Sequence, residues 1–466
     1  MMKLIIRAAI ALTLTTTVFA DDLFTSKEYA ERRATLAEKL GDNDVLIVFA
    51  NEHDVYSEDV NYPYHPNGTL RYLTGATQDG TVYIMSKFDG KVSHRIWTKP
   101  RNILFEKWNG KIVSEDSVRA RTGIKDVRDS NFADMELNRI IYDMRKGATL
   151  WLERGNDPNR VDHSPAQTLA NKLRSDEFDK EIKTFRPLTQ KMREIKSATE
   201  IEALKRATEI TVAGHKAGMR RALTASHEYQ VEAAIEATYL DQGAETVGYP
   251  SIVGAERNAT ILHYETNREA IPEGSLILVD SAAEYEGYSS DVTRTFPSDG
   301  TFTDAQKDIY QIVYDAQEAA FALSKPNASF RNLSMASFGV IGEGLLKLGL
   351  ITEKSREQIG LYAYHGLGHG IGLNVHDPNP YGNLQPGAVF TIEPGVYVNK
   401  DFILTDKNFL ALSEQDQASI KKALNTYDAI GVRIEDDLVI TQDGYINLSV
   451  GAPRSIADVE AWIAAK

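Results

Sequence analysis

Asp280 closes the apolar run Leu276-Ile-Leu-Val279, and Asp291 follows eleven residues on, in SSDVTRT. A carboxylate beside so apolar a strand needs a partner, because an unpaired buried charge is costly. Between the two, Glu284-Tyr-Glu-Gly287 has the look of a hairpin turn. With Tyr285 and Glu286 as the two-residue loop, Asp280 lies opposite Asp291. With Glu286 and Gly287 as the loop, Asp280 faces Thr293 and Asp291 is its diagonal neighbour. Either register puts both carboxylates on one face. Further on, His365-Gly-Leu-Gly-His369-Gly-Ile-Gly-Leu-Asn-Val-His376-Asp377 places three of the ten histidines within twelve residues. Its four alternating glycines disfavour a helix and let backbone approach a ligand closely. The His365 and His369 spacing matches a zincin, but Gly366 stands where that motif carries its glutamate, which excludes the class.

Glu393 ends AVFTIE before Pro394-Gly395, and Glu435 sits in GVRIEDD on the same side of its run as Arg433. Two aspartates, two glutamates and a histidine form a set of hard oxygen donors with one imidazole. Such a set suits Mn²⁺, Co²⁺, Fe²⁺ or Zn²⁺. Four crowded carboxylates raise one another's pKa values. Two divalent cations would balance their charge and leave a bridging position for water, activated at neutral pH.

The elements that must position these groups read as two halves. The 466 residues suggest two or three domains at ~150 residues each. From residue 22 to about 189 the pattern is α/β: a helix over Glu28 to Leu40, and strands over Asp44 to Ala50, Thr81 to Ser86 and Ala148 to Glu153. Asn156 to Pro187, charged and broken by three prolines, reads as a connecting segment. A long helix is expected from Ala198 through Ala222, with Glu200, Glu202 and Lys205 outward, followed by strands and Gly-Pro turns. A formal charge of −14 argues against nucleic-acid binding. The absence of cysteine removes disulfides, thiolate metal sites and cysteine nucleophiles.

The N-terminal MMKLIIRAAIALTLTTTVFA has a basic start, an apolar middle and small residues at Val18 and Ala20. That is the layout of a signal peptide over residues 1–20, cleaved before Asp21. The mature protein is therefore expected to be periplasmic or secreted, with no membrane segment after processing.

Together, Asp280–Asp291, HGLGH…VHD, TIEPG and GVRIEDD resemble the proline-specific metallopeptidases of the pita-bread fold, the Xaa-Pro aminopeptidases (aminopeptidase P) and prolidases. Tyr62-Pro-Tyr64 and Leu70-Arg-Tyr-Leu-Thr-Gly75 resemble the first domain of that family. Lys196 to Ile210 resembles the start of its catalytic domain, and Ser251 to Tyr264 its substrate-histidine segment. The resemblance implies an α/β N-terminal domain over residues 21–189 and an α+β pita-bread (creatinase/aminopeptidase) catalytic domain over 190–466. It implies two divalent ions, Mn²⁺ foremost with Co²⁺ or Zn²⁺ as alternatives. Asp280 would bind one ion, His369 and Glu393 the other, and Asp291 and Glu435 both. It further implies that His263 and His376 contact the substrate carbonyl, that His365 and Arg433 line the leaving side, and that Glu393 relays the proton. Peptides beginning Xaa-Pro are the expected partners, and a homo-oligomer, dimer or tetramer, the expected assembly. A strict dipeptidase is the alternative activity, and a metal-dead binding module the non-enzymatic one. An insert between Glu393 and Glu435, helix-prone over Leu412 to Ala429, is expected to cap the cleft or an oligomer contact.

Overall fold

A computed structural model describes residues 23–155, 162–378 and 382–465. Residues 1–20, where a signal peptide is expected, lie outside the described residues.

The first half is built on a six-stranded mixed sheet whose central strand, Val45–Phe49, is almost wholly buried. That strand pairs antiparallel with Val82–Phe88 and parallel with Thr149–Leu152. The helix expected over Glu28 to Leu40 runs from Ser26 to Ala37, because the Thr25 side chain caps it by accepting from the Glu28 N–H. The expected connecting segment is, where described, structured. Pro165–Ser175 is a helix capped by Ser164 with proline in its first turn, and Glu181–Thr184 adds a parallel edge strand to the sheet. Pro165 and Pro187 begin helices rather than breaking a linker.

The second half sets short curved strands against long helices. Leu276–Asp280 is the middle of a three-stranded antiparallel sheet, between Ile252–Ala255 and Thr293–Pro297. Val389–Ile392 pairs with Asp436–Ile440, and Gly395–Val398 with Ile430–Arg433. The long helix runs from Ala198 to Ala222, started by a capping box between Ser197 and Glu200. Glu200 does not face outward: it is buried, accepts from the Tyr288 hydroxyl at 3.0 Å and pairs with Arg32 at 3.5 Å. Its place at the third helical position turned it inward. A shared apolar cluster, including Phe24, Tyr72, Leu204, Tyr288 and Val389, joins the two halves.

The insert after Glu393 folds mainly as the helix Glu414–Tyr427, which buries Ile420 and Leu424 in the catalytic core. No residue of it lines the site cavity. It braces the outside of the domain and caps nothing at the cleft.

Candidate metal centre

The hairpin adopts the second of its two registers. Tyr285 pairs with Tyr288 across a Glu286-Gly287 turn, both at positive φ, and Asp280 pairs with Thr293. Asp280 and Asp291 thereby share a face and are joined by one side chain. The Tyr249 hydroxyl lies 2.5 Å from Asp280 Oδ1 and 2.6 Å from Asp291 Oδ1. A phenol has one proton to donate, so both contacts are hydrogen bonds only when one carboxyl holds a proton of its own. Burial first, and the Asp291 charge among the other causes, raise the pKa of Asp280.

The glycine-rich segment forms no helix, and its backbone packs tightly: a Cβ on Gly368 would sit 2.1 Å from the Thr391 carbonyl oxygen. This contact brings His369 against the strand that ends before Glu393, and the Thr391 N–H donates to the His369 carbonyl at 2.8 Å. His369 Nε2 lies 3.4 Å from Asp291 Oδ2 and 3.5 Å from Glu393 Oε1. Although burial opposes it, hydrogen bonding and charge attraction from Asp291, then Glu393, push His369 up to about 9. His365 is the reverse case. Burial, then the Arg433 charge, lower it to about 4, and its ring contacts the Tyr397 hydroxyl at 2.7 Å.

Glu393 is pushed up to about 7 by burial, against the pull of His369 and Arg433. Glu435 is raised by burial and by Asp291, and accepts from the Thr293 hydroxyl at 2.7 Å. Arg433 donates to Asp280 Oδ2 at 2.6 Å, to the Tyr397 hydroxyl at 2.9 Å and to Thr293 Oγ1 at 3.2 Å. Three of its five N–H donors are thus committed to holding the site.

All nine residues singled out from the sequence line one cavity of about 360 Å³: His263, Asp280, Asp291, His365, His369, His376, Glu393, Arg433 and Glu435. Donor atoms of Asp291, His369 and Glu435 lie within 4.8 Å of one another. Asp280 is drawn aside toward Arg433, and Glu393 stands between His365 and His369. His263 and His376 are exposed at the rim, the His376 ring 4.1 Å from that of His369. A second cleft of about 1070 Å³ between the two halves shares His369 and His376 with this cavity. The donor chemistry fits divalent cations: oxygen donors, one imidazole, and buried carboxyls held in proton-loving states that positive charge would relieve.

Tyr249 was missed from the sequence. It lies in GYPS, outside every charged motif, and no local pattern marks a tyrosine as a partner of two aspartates.

Fold and cavity define a metal-dependent hydrolase with a separate N-terminal domain, and comparison with known proteins agrees. Residues 202–442 match metallopeptidase family M24, and residues 29–151 match the aminopeptidase P N-terminal domain. The chain belongs to the aminopeptidase P group of metallopeptidase family M24. It is 31% identical to the Xaa-Pro aminopeptidase of Escherichia coli, over 94% of this chain and 98% of that one. It is 33% identical to Xaa-Pro aminopeptidase 1 of Streptomyces coelicolor, over 94% of this chain and 87% of that one. Proline aminopeptidase P II from Yersinia pestis superposes with a TM-score of 0.82 at 30% identity, over 95% of this chain and all of that one. A variant of E. coli aminopeptidase P in complex with substrate gives 0.81 at 30%, over 94% and 98%.

Proposed function

We propose that this chain is an exported, manganese-loaded Xaa-Pro aminopeptidase whose ions are held by Asp280, Asp291, His369, Glu393 and Glu435. The enzyme class is plain: a metalloaminopeptidase that releases the first residue from peptides with proline second. The observation that carries the assignment of residues is their convergence on one cavity, with three donor sets within 4.8 Å.

When bound, the ions supply a water acidic enough to attack near neutral pH and Lewis-acid polarisation of the carbonyl. The chain's own groups do the rest. His263 and His376, at the rim, are placed to hydrogen-bond the substrate carbonyl, where negative charge grows during attack. Glu393, beside His369 at 3.5 Å and His365 at 3.6 Å, is the group that takes the proton at its Oε and returns it to the proline nitrogen. That nitrogen carries no N–H in the intact bond. His365, neutral, stays hydrogen-bonded to Tyr397 on the leaving side, while Arg433 holds Asp280 in place.

At matched pH and metal, kcat/KM for Ala-Pro-Ala is expected to exceed that for Ala-Pro tenfold or more, ~1.4 kcal/mol of transition-state binding. Elemental analysis of the same preparation should find two manganese ions per chain. Brisk dipeptide cleavage with no tripeptide cleavage would replace this reading with a prolidase.

The reading extends to location and assembly. No helix among the described residues is long and apolar enough to cross a membrane. The basic, apolar and small-residue order of residues 1–20 supports export, and N-terminal sequencing of protein from its native compartment should begin at Asp21. Recovery of intact Met1 from the cytoplasm would end that claim. A homo-oligomer is supported by the helix Ile103–Asn109, which buries none of its residues and leaves Trp108 90% exposed.

A further inference from the structure

We propose that the N-terminal domain positions the metal centre by gripping the tip of the hairpin that carries Asp280 and Asp291, with Arg71 as the positioning residue. The inference rests on those two carboxylates being metal ligands, as proposed above.

The hairpin is held at two places. Near its base, the long helix supplies Thr211, which accepts from the Ala283 N–H at 2.8 Å and meets the Ser290 hydroxyl at 2.7 Å. His215 of the same helix contacts the Ser281 carbonyl at 2.9 Å. The tip, however, belongs to the other half of the protein. Arg71, on the helix Gly68–Thr74 and only 6% exposed, donates to both oxygens of Glu245 at 2.9 and 3.0 Å, and to Glu286 at 3.1 Å. Glu245 in turn accepts from the Gly287 N–H at 3.1 Å. Arg121 reaches Glu286 at 3.4 Å, and His65 meets the buried Glu284 at 2.8 Å. Phe24 stacks on Tyr288 with ring centroids 5.4 Å apart.

Two backbone observations show that the turn is shaped around Arg71. A Cβ on Gly287 would sit 2.7 Å from an Arg71 guanidinium nitrogen, so the turn and the planar group lie in direct contact. Glu286 adopts φ 50°, a region where asparagine or glycine is at ease and glutamate is not. A residue kept against its backbone preference is accounted for by what its side chain does, and here the carboxylate pairs with Arg71 and Arg121. Without Arg71, Glu245 and Glu286 would face each other across the turn, with Glu284 two residues away, and their repulsion would push the tip aside. Only four residues on one side and two on the other separate Tyr285 from Asp280 and Tyr288 from Asp291. A displaced tip is therefore transmitted to the spacing of the two carboxylates.

The test is calorimetric titration of the metal-free full chain with Mn²⁺, with thermal melting of the same samples before metal is added. Glu286→Asn should relieve the strained backbone, so its metal-free melting temperature should equal or exceed wild type. Its Mn²⁺ affinity should nevertheless fall about tenfold. Arg71→Ala should weaken Mn²⁺ to a similar degree, and Arg71→Lys should recover only part of the loss, having charge without the planar fork. A merely structural contact predicts the opposite pattern for Glu286→Asn: stability changed, metal affinity intact. Asp291→Asn separates the two levels. If it loses an ion while Glu286→Asn and Arg71→Ala bind Mn²⁺ as wild type does, the positioning role is wrong and the metal site stands. If Asp291→Asn keeps both ions at wild-type affinity, the site assignment itself fails, and the inference with it.

Discussion

Asp291→Ala is expected to lower kcat/KM for Ala-Pro-Ala at least a thousandfold, ~4 kcal/mol of transition-state stabilisation, and to strip the protein of metal. Its Oδ2 faces His369 at 3.4 Å, its Oδ1 faces Tyr249, and its own N–H is fixed by Asp437 Oδ2 at 3.1 Å. Among the described residues it belongs to the one group of three whose donor atoms can meet at a common point. Removing it leaves one imidazole and Glu435 there, too few donors for a hard cation. The fold should survive, because the repulsion Asp291 exerts on Asp280 and Glu435 in the metal-free site offsets its attraction for His369. The metal-free variant should therefore remain folded while activity is lost. Elemental analysis and kinetics on one preparation decide the matter. Two ions per chain with wild-type turnover would refute the assignment.

The site was more legible in the sequence than the packing that holds it. Asp280, His369 and Glu435 announce themselves because charged groups that end apolar runs or crowd among glycines are hard to explain by packing. Their supports do not. Tyr249 and Asp437 act through contacts spanning 31 or more residues of sequence, and a tyrosine or a second aspartate after Glu435 carries no local sign of its partner. The hairpin illustrates the boundary of what periodicity can give. Alternation fixed the shared face of Asp280 and Asp291, whereas the register depended on which residues tolerate positive φ, and the first of these proved to be a glutamate. Glu200 was misplaced for a related reason. A charged residue on a helix is normally solvated, but the capping box and Arg32 bring this one inside. The insert, expected to cap the cleft or an oligomer contact, lies away from the cleft, because Ile420 and Leu424, four apart, are the stripe that docks it on the core.

Chelation should destabilise the protein little at pH 6.5 and markedly at pH 8.5, because the metal-free centre loses stability as protons leave it. His369 stands at about 9 in the folded chain against an ordinary 6.5. Its contribution is complete below pH 6.5 and lost as pH rises through 9, a span of about 3 kcal/mol. Glu393, raised from 4.5 to about 7, acts in the same sense: it favours the fold below pH 4.5 and ceases to as pH rises through 7. His365 acts oppositely. Held at about 4, it favours the fold above pH 6.5 and gives up that contribution as pH falls through 4. Between pH 4.5 and 6.5 Glu393 and His365 offset each other, so the metal-free protein should show a shallow profile there. Above 6.5 only losses remain. With metal bound, the ligands are needed as neutral imidazole and ionised carboxylate, the forms that rising pH supplies, so the loaded protein has no matching decline. The difference in melting temperature with and without chelator should therefore widen by about 3–5 °C between pH 6.5 and 8.5. His369→Gln should flatten most of the slope of the metal-free protein, since it removes the group that titrates across that window. A chelation effect of the same size at every pH would show that His369 does not carry the proton that metal must displace.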